Sequence, residues 1–317
     1  MDTPYTDDSH PGALPLLLRP GDRVRFVSPS STPNRESVHR CAKIIESWGL
    51  KVELGKSVFH ELGYLAGSDD ERLADINDAL RDPSICALFA TTGGKGAYRI
   101  ADQLDFGAAM KNPKFLVGFS DITVLHLSLW KHCHSVGIHG PLVSWSPEYI
   151  GPESIESLRR AVMTTEMVVL QSDLSEPTAA LTTTGTVQGV LIGGNLDTLA
   201  ISAGWALPNL TGKIILIEAV AMGLGHVDRQ LTMLLNAGHL NGVKGIAVGR
   251  FTDFHAHGAW TIIDVLRDRL ARLNVPILGG LPIGHDKHPQ TTPLGTLATL
   301  DAEAGTLTVM PGVRASS

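Results

Sequence analysis

The chain has 317 residues, 43% of them hydrophobic and 18% charged, which is enough apolar material for one large or two ordinary domains with proper cores. With 26 basic against 32 acidic residues, its formal charge of -6 offers no electrostatic footprint for a polyanion, so no nucleic-acid partner is expected. Residues 1–10 are acidic and polar and the apolar run 16–18 is too short for a signal peptide or a membrane span, so the expectation is a cytoplasmic protein without membrane contact. The three cysteines, Cys41, Cys86 and Cys133, have no C-x-x-C spacing and read as reduced thiols rather than a disulfide framework or a zinc knuckle.

In chain order, residues 1–20 read as a loose tail rich in Pro, Gly, Asp and Ser, and order is expected from Arg23. A short strand at 24–27 stops at the Ser/Pro run 28–33, helical spacing follows over 36–48, and 51–54 is a second strand. A helix over 69–80 places Leu73, Ile76, Asn77 and Leu80 on one face, Pro83 blocks its continuation, and 85–90 is a buried strand. A strand at 114–118 and a strongly apolar helix over 122–130 continue the β-α-β-α-β alternation. The first half is thus predicted to be an open, mostly parallel sheet covered by helices, a class in which ligands collect beyond the carboxyl ends of the strands.

After a helix at 152–163, the stretch 171–186 is rich in Ser, Thr, Asp and Pro and marks a domain boundary. The division expected is a tail over 1–20, an N-terminal domain over 21–168, a linker over 169–186 and a C-terminal domain over 187–317. The second half carries strands at 189–192, 213–217, 245–248, 278–281 and 297–300, with helices near 228–235 and 260–273, so it reads as mixed α/β with more strand.

Four segments could carry chemistry. In Gly118-Phe119-Ser120-Asp121-Ile122-Thr123 a strand runs straight into a helix with one serine at the junction, which exposes a hydroxyl beside unpaired helix amides suited to a developing oxyanion. The same serine could be a plain helix cap, and Ile122 departs from the G-x-S-x-G elbow. Thr92-Gly93-Gly94-Lys95-Gly96-Ala97 is a glycine turn at the same sheet edge; its spacing does not match a phosphate-binding loop, so it reads as a second oxyanion donor or a simple turn. The apolar strand 213–217 ends in Glu218, an acid that costs free energy there unless it is paired or solvated. Gly284-His285-Asp286-Lys287-His288 presents two histidines after a strand, either of which could act as a base for a serine. The pairs His132/His134 and His255/His257 have no carboxylate at metal-ligand spacing, so no metal is expected.

With these segments in hand, the chain resembles the LD-carboxypeptidase family, which includes murein tetrapeptide carboxypeptidases and microcin C self-immunity peptidases. The resemblance is carried by Arg19-Pro20-Gly21-Asp22-Arg23-Val24, Ser28-Pro29-Ser30-Ser31, Gly118-Phe119-Ser120-Asp121-Ile122-Thr123, His139-Gly140-Pro141, Gly193-Gly194-Asn195-Leu196, Leu216-Ile217-Glu218 and Gly284-His285. It implies a Rossmann-like N-terminal domain with a smaller β-rich C-terminal domain, and a catalytic triad of Ser120, Glu218 and His285, which resolves the choice against His288. It further implies oxyanion donors from the backbone of Asp121 and of the Gly93-Gly94-Lys95 turn, no cofactor, and a homodimer.

Gly93, Trp145, Asn195, His226 and Arg229 are substrate-binding candidates by position. Many murein-type members carry Arg-Gly-Gly-Tyr-Gly where this chain has Thr92-Gly93-Gly94-Lys95-Gly96. The residues after Glu218, Ala219 to His226, likewise lack the acidic-aromatic pattern of those members. The expected reaction is release of terminal D-alanine from a cytoplasmic murein tetrapeptide; the alternatives are hydrolysis of a peptidyl or aminoacyl nucleotide of the microcin C kind, and a non-catalytic small-molecule binding module.

Overall fold

The computed structural model describes residues 13–141 and 148–315. The first half alternates β1 (Arg23–Val27), α1 (Arg35–Ser47), β2 (Lys51–Leu54), α2 (Asp69–Arg81), β3 (Ile85–Ala90), α3 (Phe106–Lys111), β4 (Phe115–Gly118), α4 (Thr123–Cys133), β5 (Gly137–His139) and α5 (Pro152–Met163). The second half adds β6 (Val168–Gln171), β7 (Thr186–Asn195), α6 (Leu196–Ile201), β8 (Ile214–Val220), α7 (Leu224–Asn236), β9 (Gly245–Thr252), α8 (Ile262–Leu270), β10 (Ile277–Leu278), β11 (Thr292–Leu294), β12 (Leu297–Asp301) and β13 (Thr306–Val309).

Local signals explain the helix starts. Asn34 accepts the Ser37 N–H at 2.9 Å ahead of α1, Ser68 and Glu71 form a reciprocal capping box on α2, and Pro152 opens α5. The first sheet runs β11-β5-β4-β3-β1-β2, parallel from β5 to β2. Alternate residues of β3 feed opposite faces: Leu88 and Ala90 pack with α2, α3 and α4, while Ala87 and Phe89 pack with α1 and α5. A strand buried on both faces reads as a continuous apolar run, as 85–90 does.

The second sheet runs β10-β9-β8-β7-β12-β13-β6; β7 to β10 are parallel and β12, β13 and β6 antiparallel. The two-domain α/β architecture with a mostly parallel first sheet and a mixed second one therefore agrees with the sequence reading. One helix belongs to both bodies. Leu125 and Leu129 of α4 sit in the first core and Leu127 and Trp130 in the second, and every residue from Thr123 to Trp130 is buried, which is why this helix is apolar all round.

The boundaries differ from the sequence reading in three places. Residues 168–171, placed at the end of the first domain and in the linker, form the edge strand β6 of the second sheet. Strand β11 returns from the C-terminal region to pair antiparallel with β5 of the first sheet, a long-range pairing that no local pattern announces. The tail expected over 1–20 is docked where it is described: the Leu17 N–H donates to the Arg314 carbonyl (3.0 Å), that of Leu18 to Val162 (2.8 Å), and Leu18 is 1% exposed. The apolar trio 16–18 outweighs the surrounding Pro and Gly because the Leu18 side chain fills the core between α1 and α5. Among the described residues no helix is long and apolar enough to cross a membrane. Replacing Leu18 with Ala is expected to lower the unfolding free energy by about 2–4 kcal/mol in urea titrations, whereas a free tail would give no change.

Candidate active site

The nucleophile candidate sits where β4 ends. Ser120 adopts φ +63°, a left-handed conformation uncommon for a non-glycine residue, between extended Phe119 and the short helical turn that leads into α4. The strained turn leaves the side chain half-buried at the carboxyl edge of the sheet. The Asp121 carboxylate points inward, accepting from the Ser30 hydroxyl (2.7 Å) and the Ala97 N–H (2.8 Å). Burial pushes its pKa up, against the opposing effect of these two bonds and of Lys95 and Arg72.

Glu218 is fully buried at the end of the apolar part of β8, and its Oε2 lies 2.7 Å from His285 Nδ1. Burial raises the carboxyl pKa, but the His285 imidazole, by charge and by hydrogen bond, with His139 and the Asn195 amide, outweighs it and holds Glu218 below the usual carboxylate range. Two features fix the histidine. Gly284 has φ +111°, and a Cβ there would lie 2.8 Å from Glu218 Oε2, so only glycine lets the loop approach this closely. Thr252 Oγ1 then donates to the His285 carbonyl at 2.6 Å. The imidazole packs on the Phe119 ring with centroids 4.6 Å apart, one residue from Ser120.

Phe119, the neighbour of Ser120, and the Glu218–His285 pair thus meet at the junction of the two sheets. Other contacts cross there as well. The Asn195 N–H donates to Thr123 Oγ1 (3.1 Å), and Lys95 Nζ lies 3.4 Å from Asp197 Oδ2. A Cβ at Gly194, φ +135°, would lie 2.6 Å from Thr123 Oγ1, so this glycine permits β7 to meet α4.

The other candidates divide. His288 turns away from Glu218 toward α5, its N–H donating to the Tyr149 carbonyl and its ring lying 3.8 Å from Glu153, so the structure pairs His285 and not His288 with the acid. In the glycine turn, Gly93 is buried, Gly94 is exposed, and the Lys95 N–H already donates to Ser31 Oγ (3.2 Å); the Lys95 amide is therefore engaged, unlike the expectation for it. Asn195 is buried, with Oδ1 capping α6 at the Thr198 N–H (3.3 Å), while His226 and Arg229 are exposed on α7. Trp145 lies outside the described residues. No group of three metal-ligating side chains occurs among the described residues, and His132 instead stacks on Phe106 at 4.2 Å. A cavity of about 550 Å³ between α5 and β6 is lined by none of Ser120, Glu218 and His285.

The sequence reading missed Arg72, Thr123 and His139 as site components. His139 is buried in β5 beside Gly118 of β4, edge-on to Phe119, and desolvation together with neighbouring His285 drops its pKa to about 4 despite the opposing Glu218 charge, so the ring is neutral. Arg72 was discoverable, because it lies in helical phase with the buried Ile76 and Ala79.

The LD-carboxypeptidase N-terminal domain matches residues 24–140 and the LD-carboxypeptidase C-terminal domain residues 188–300. The chain belongs to the LD-carboxypeptidase family, a family of serine peptidases. It is 32% identical over 308 residues to a probable murein peptide carboxypeptidase of Bacillus subtilis, with 94% of this chain and 95% of the relative covered. It is 27% identical to the microcin C7 self-immunity protein MccF of Escherichia coli, covering 90% and 93% of the two chains. The crystal structure of muramoyltetrapeptide carboxypeptidase from Oxalobacter formigenes superposes with a TM-score of 0.81 at 26% identity, covering 93% of this chain and all (100%) of that one.

The depressed Glu218 carboxyl has a consequence for stability. Between its folded value and the ordinary 4.5 the unfolded chain binds the extra proton, so the contribution of Glu218 is complete above the ordinary value and is lost as pH falls through the folded one. Glu218→Gln is expected to lower the unfolding free energy by about 3 kcal/mol at neutral pH, with the gap to the native protein narrowing in acid. Urea titrations of both proteins across that range check this, and a gap independent of pH contradicts it.

Proposed function

We propose that this LD-carboxypeptidase family member is a cytoplasmic serine carboxypeptidase that cleaves the amide between an L- and a D-centre, releasing terminal D-alanine from a murein tetrapeptide. The observation that carries the reading is the 2.7 Å bond between buried Glu218 and His285 Nδ1, with the imidazole resting on the residue that precedes Ser120. Glu218 holds the histidine in the tautomer whose Nε2 accepts a proton, and stabilises the imidazolium once it forms.

In the proposed reaction His285 takes the Ser120 proton as Oγ attacks the carbonyl carbon, and the oxyanion is held by the N–H groups of Asp121 and Gly94. The C–N bond breaks as His285 returns the proton to the departing D-alanine amine. Water, deprotonated by the same imidazole, then hydrolyses the acyl-enzyme. Lys95, Gly93 and Asn195, together with His226 and Arg229, are the groups we assign to substrate binding. The murein substrate is favoured over a peptidyl nucleotide by the higher identity to the murein-type relative than to the microcin one.

The test incubates the purified protein separately with murein tetrapeptide and with an aminoacyl nucleotide and follows the products by mass spectrometry. Free D-alanine is expected, together with a loss of about four orders of magnitude or more in turnover for Ser120→Ala. Near-normal activity of that variant overturns the nucleophile, and release of a modified nucleotide without D-alanine overturns the murein assignment.

A further inference from the structure

Two charged side chains buried beneath the candidate site grip the same pair of loops. Arg72, on α2, is 1% exposed; its Nη1 donates to the Gly96 carbonyl at 3.0 Å and also to the Pro29 carbonyl. Asp121 is 4% exposed, and its Oδ2 accepts from the Ala97 N–H and the Ser30 hydroxyl. Gly96 C=O and Ala97 N–H are the two ends of a single peptide unit, so a cation holds its oxygen and an acid holds its nitrogen. In the loop that follows β1, Arg72 holds the Pro29 carbonyl while Asp121 accepts from the Ser30 side-chain hydroxyl. Asp69 completes the arrangement by accepting from Arg72 Nη2 and from Arg99 Nε.

One more fact gives this bracing a functional direction. The residue that grips the end of the glycine turn is itself the residue after Ser120. Its side chain is bonded to the Gly96–Ala97 peptide, three residues beyond Gly93, while its own backbone N–H lies beside the nucleophile. The separation of the two loops that flank Ser120 is therefore set by one short, buried side chain. A helix-to-loop contact of purely structural origin would have no reason to join these particular segments. Ionic groups with no access to water are costly unless fully paired, and apolar residues would fill the same volume at less risk.

We propose that Arg72 and Asp121 form a charged clamp that positions the Gly94 amide against the Asp121 amide, so that Asp121 supplies one oxyanion donor through its backbone and locates the other through its side chain. Arg72, Ser30 and the Asp121 carboxylate are positioning residues in this scheme and touch no substrate. The proposal rests on the serine-peptidase reading above. It predicts that loss of the clamp weakens the transition state and leaves ground-state binding alone, because a displaced oxyanion donor acts on the tetrahedral species and not on the planar carbonyl.

The experiment measures kcat and KM for D-alanine release by Asp121→Ala, Asp121→Asn and Ser30→Ala, with kcat expressed per Ser120 that an acylating reagent labels to completion by intact mass. Asp121→Ala is expected to lose about 100-fold in kcat with KM unchanged within about two-fold, the magnitude of a lost oxyanion donor. Asp121→Asn keeps an oxygen able to accept from Ala97 and Ser30 and is expected to recover most of that loss, whereas Ser30→Ala, which removes one of the two bonds, loses about 5–10-fold. Full kcat per labelled site in both Ser30→Ala and Asp121→Ala overturns the clamp, as does an Asn variant no better than the Ala variant. Should Asp121→Ala not fold, Ser30→Ala decides alone. If Ser120→Ala retains activity the underlying reading fails; if it is inactive while the clamp variants are unimpaired, only the clamp fails.

Discussion

The architecture depends on one buried acid and the histidine bonded to it. Glu218 has no exposed surface, and a carboxylate so placed is tolerated only if its surroundings return what hydration would have supplied. His285 does so through a 2.7 Å bond, and the neighbouring chain is shaped to allow it. Gly284 clears the approach, Gly249 spares the Glu218 Cβ a neighbour that would stand at 3.2 Å, and Thr252 anchors the histidine carbonyl. The loop that carries His285 also meets the first body, His288 donating its N–H to the Tyr149 carbonyl and lying 3.8 Å from Glu153 of α5, so the pair is tied into both halves of the molecule.

The two halves contribute different things. The first holds a serine on a strained turn at the end of a parallel strand, with a helix that begins immediately afterwards. The second holds Glu218 within β8 and His285 on the loop between β10 and β11. Helix α4 joins them, since its side chains enter both cores, and Thr123 at its first turn meets the backbone of Asn195. Strand β11, which leaves the second half to pair with β5, adds a further tie between the sheets.

Buried charge serves the same end elsewhere. Lys114 Nζ donates to the carbonyls of Ala79 (2.6 Å) and Leu80 (3.2 Å), satisfying the C-terminal end of α2, and desolvation drops its pKa to about 8 against the Asp82 charge. Asp75 collects the N–H groups of Lys56 (2.9 Å) and Ser57 (2.8 Å). With Arg72, these groups tie α2 to the loops and strand that surround it.

Much of this was legible in the sequence because it is local. The alternation of apolar strands and amphipathic helices identified the parallel sheet, a serine between strand and helix marked the turn, and an acid after four apolar residues signalled a buried partner. Membership of the family, carried by motifs in their order, chose His285 over His288, a choice that spacing alone left open. What the sequence could not decide depends on contacts across the fold. Leu18 looked like tail until the gap between α1 and α5 received it, β11 and β6 joined sheets by pairing with distant strands, and Lys95 lost its free amide to Ser31. Hydrogen-bond partners 24 to 91 residues away leave no periodicity to read, so what Arg72, Thr123 and the Asp121 side chain bond to emerged only when tertiary packing removed water from them and forced each polar group to find a mate.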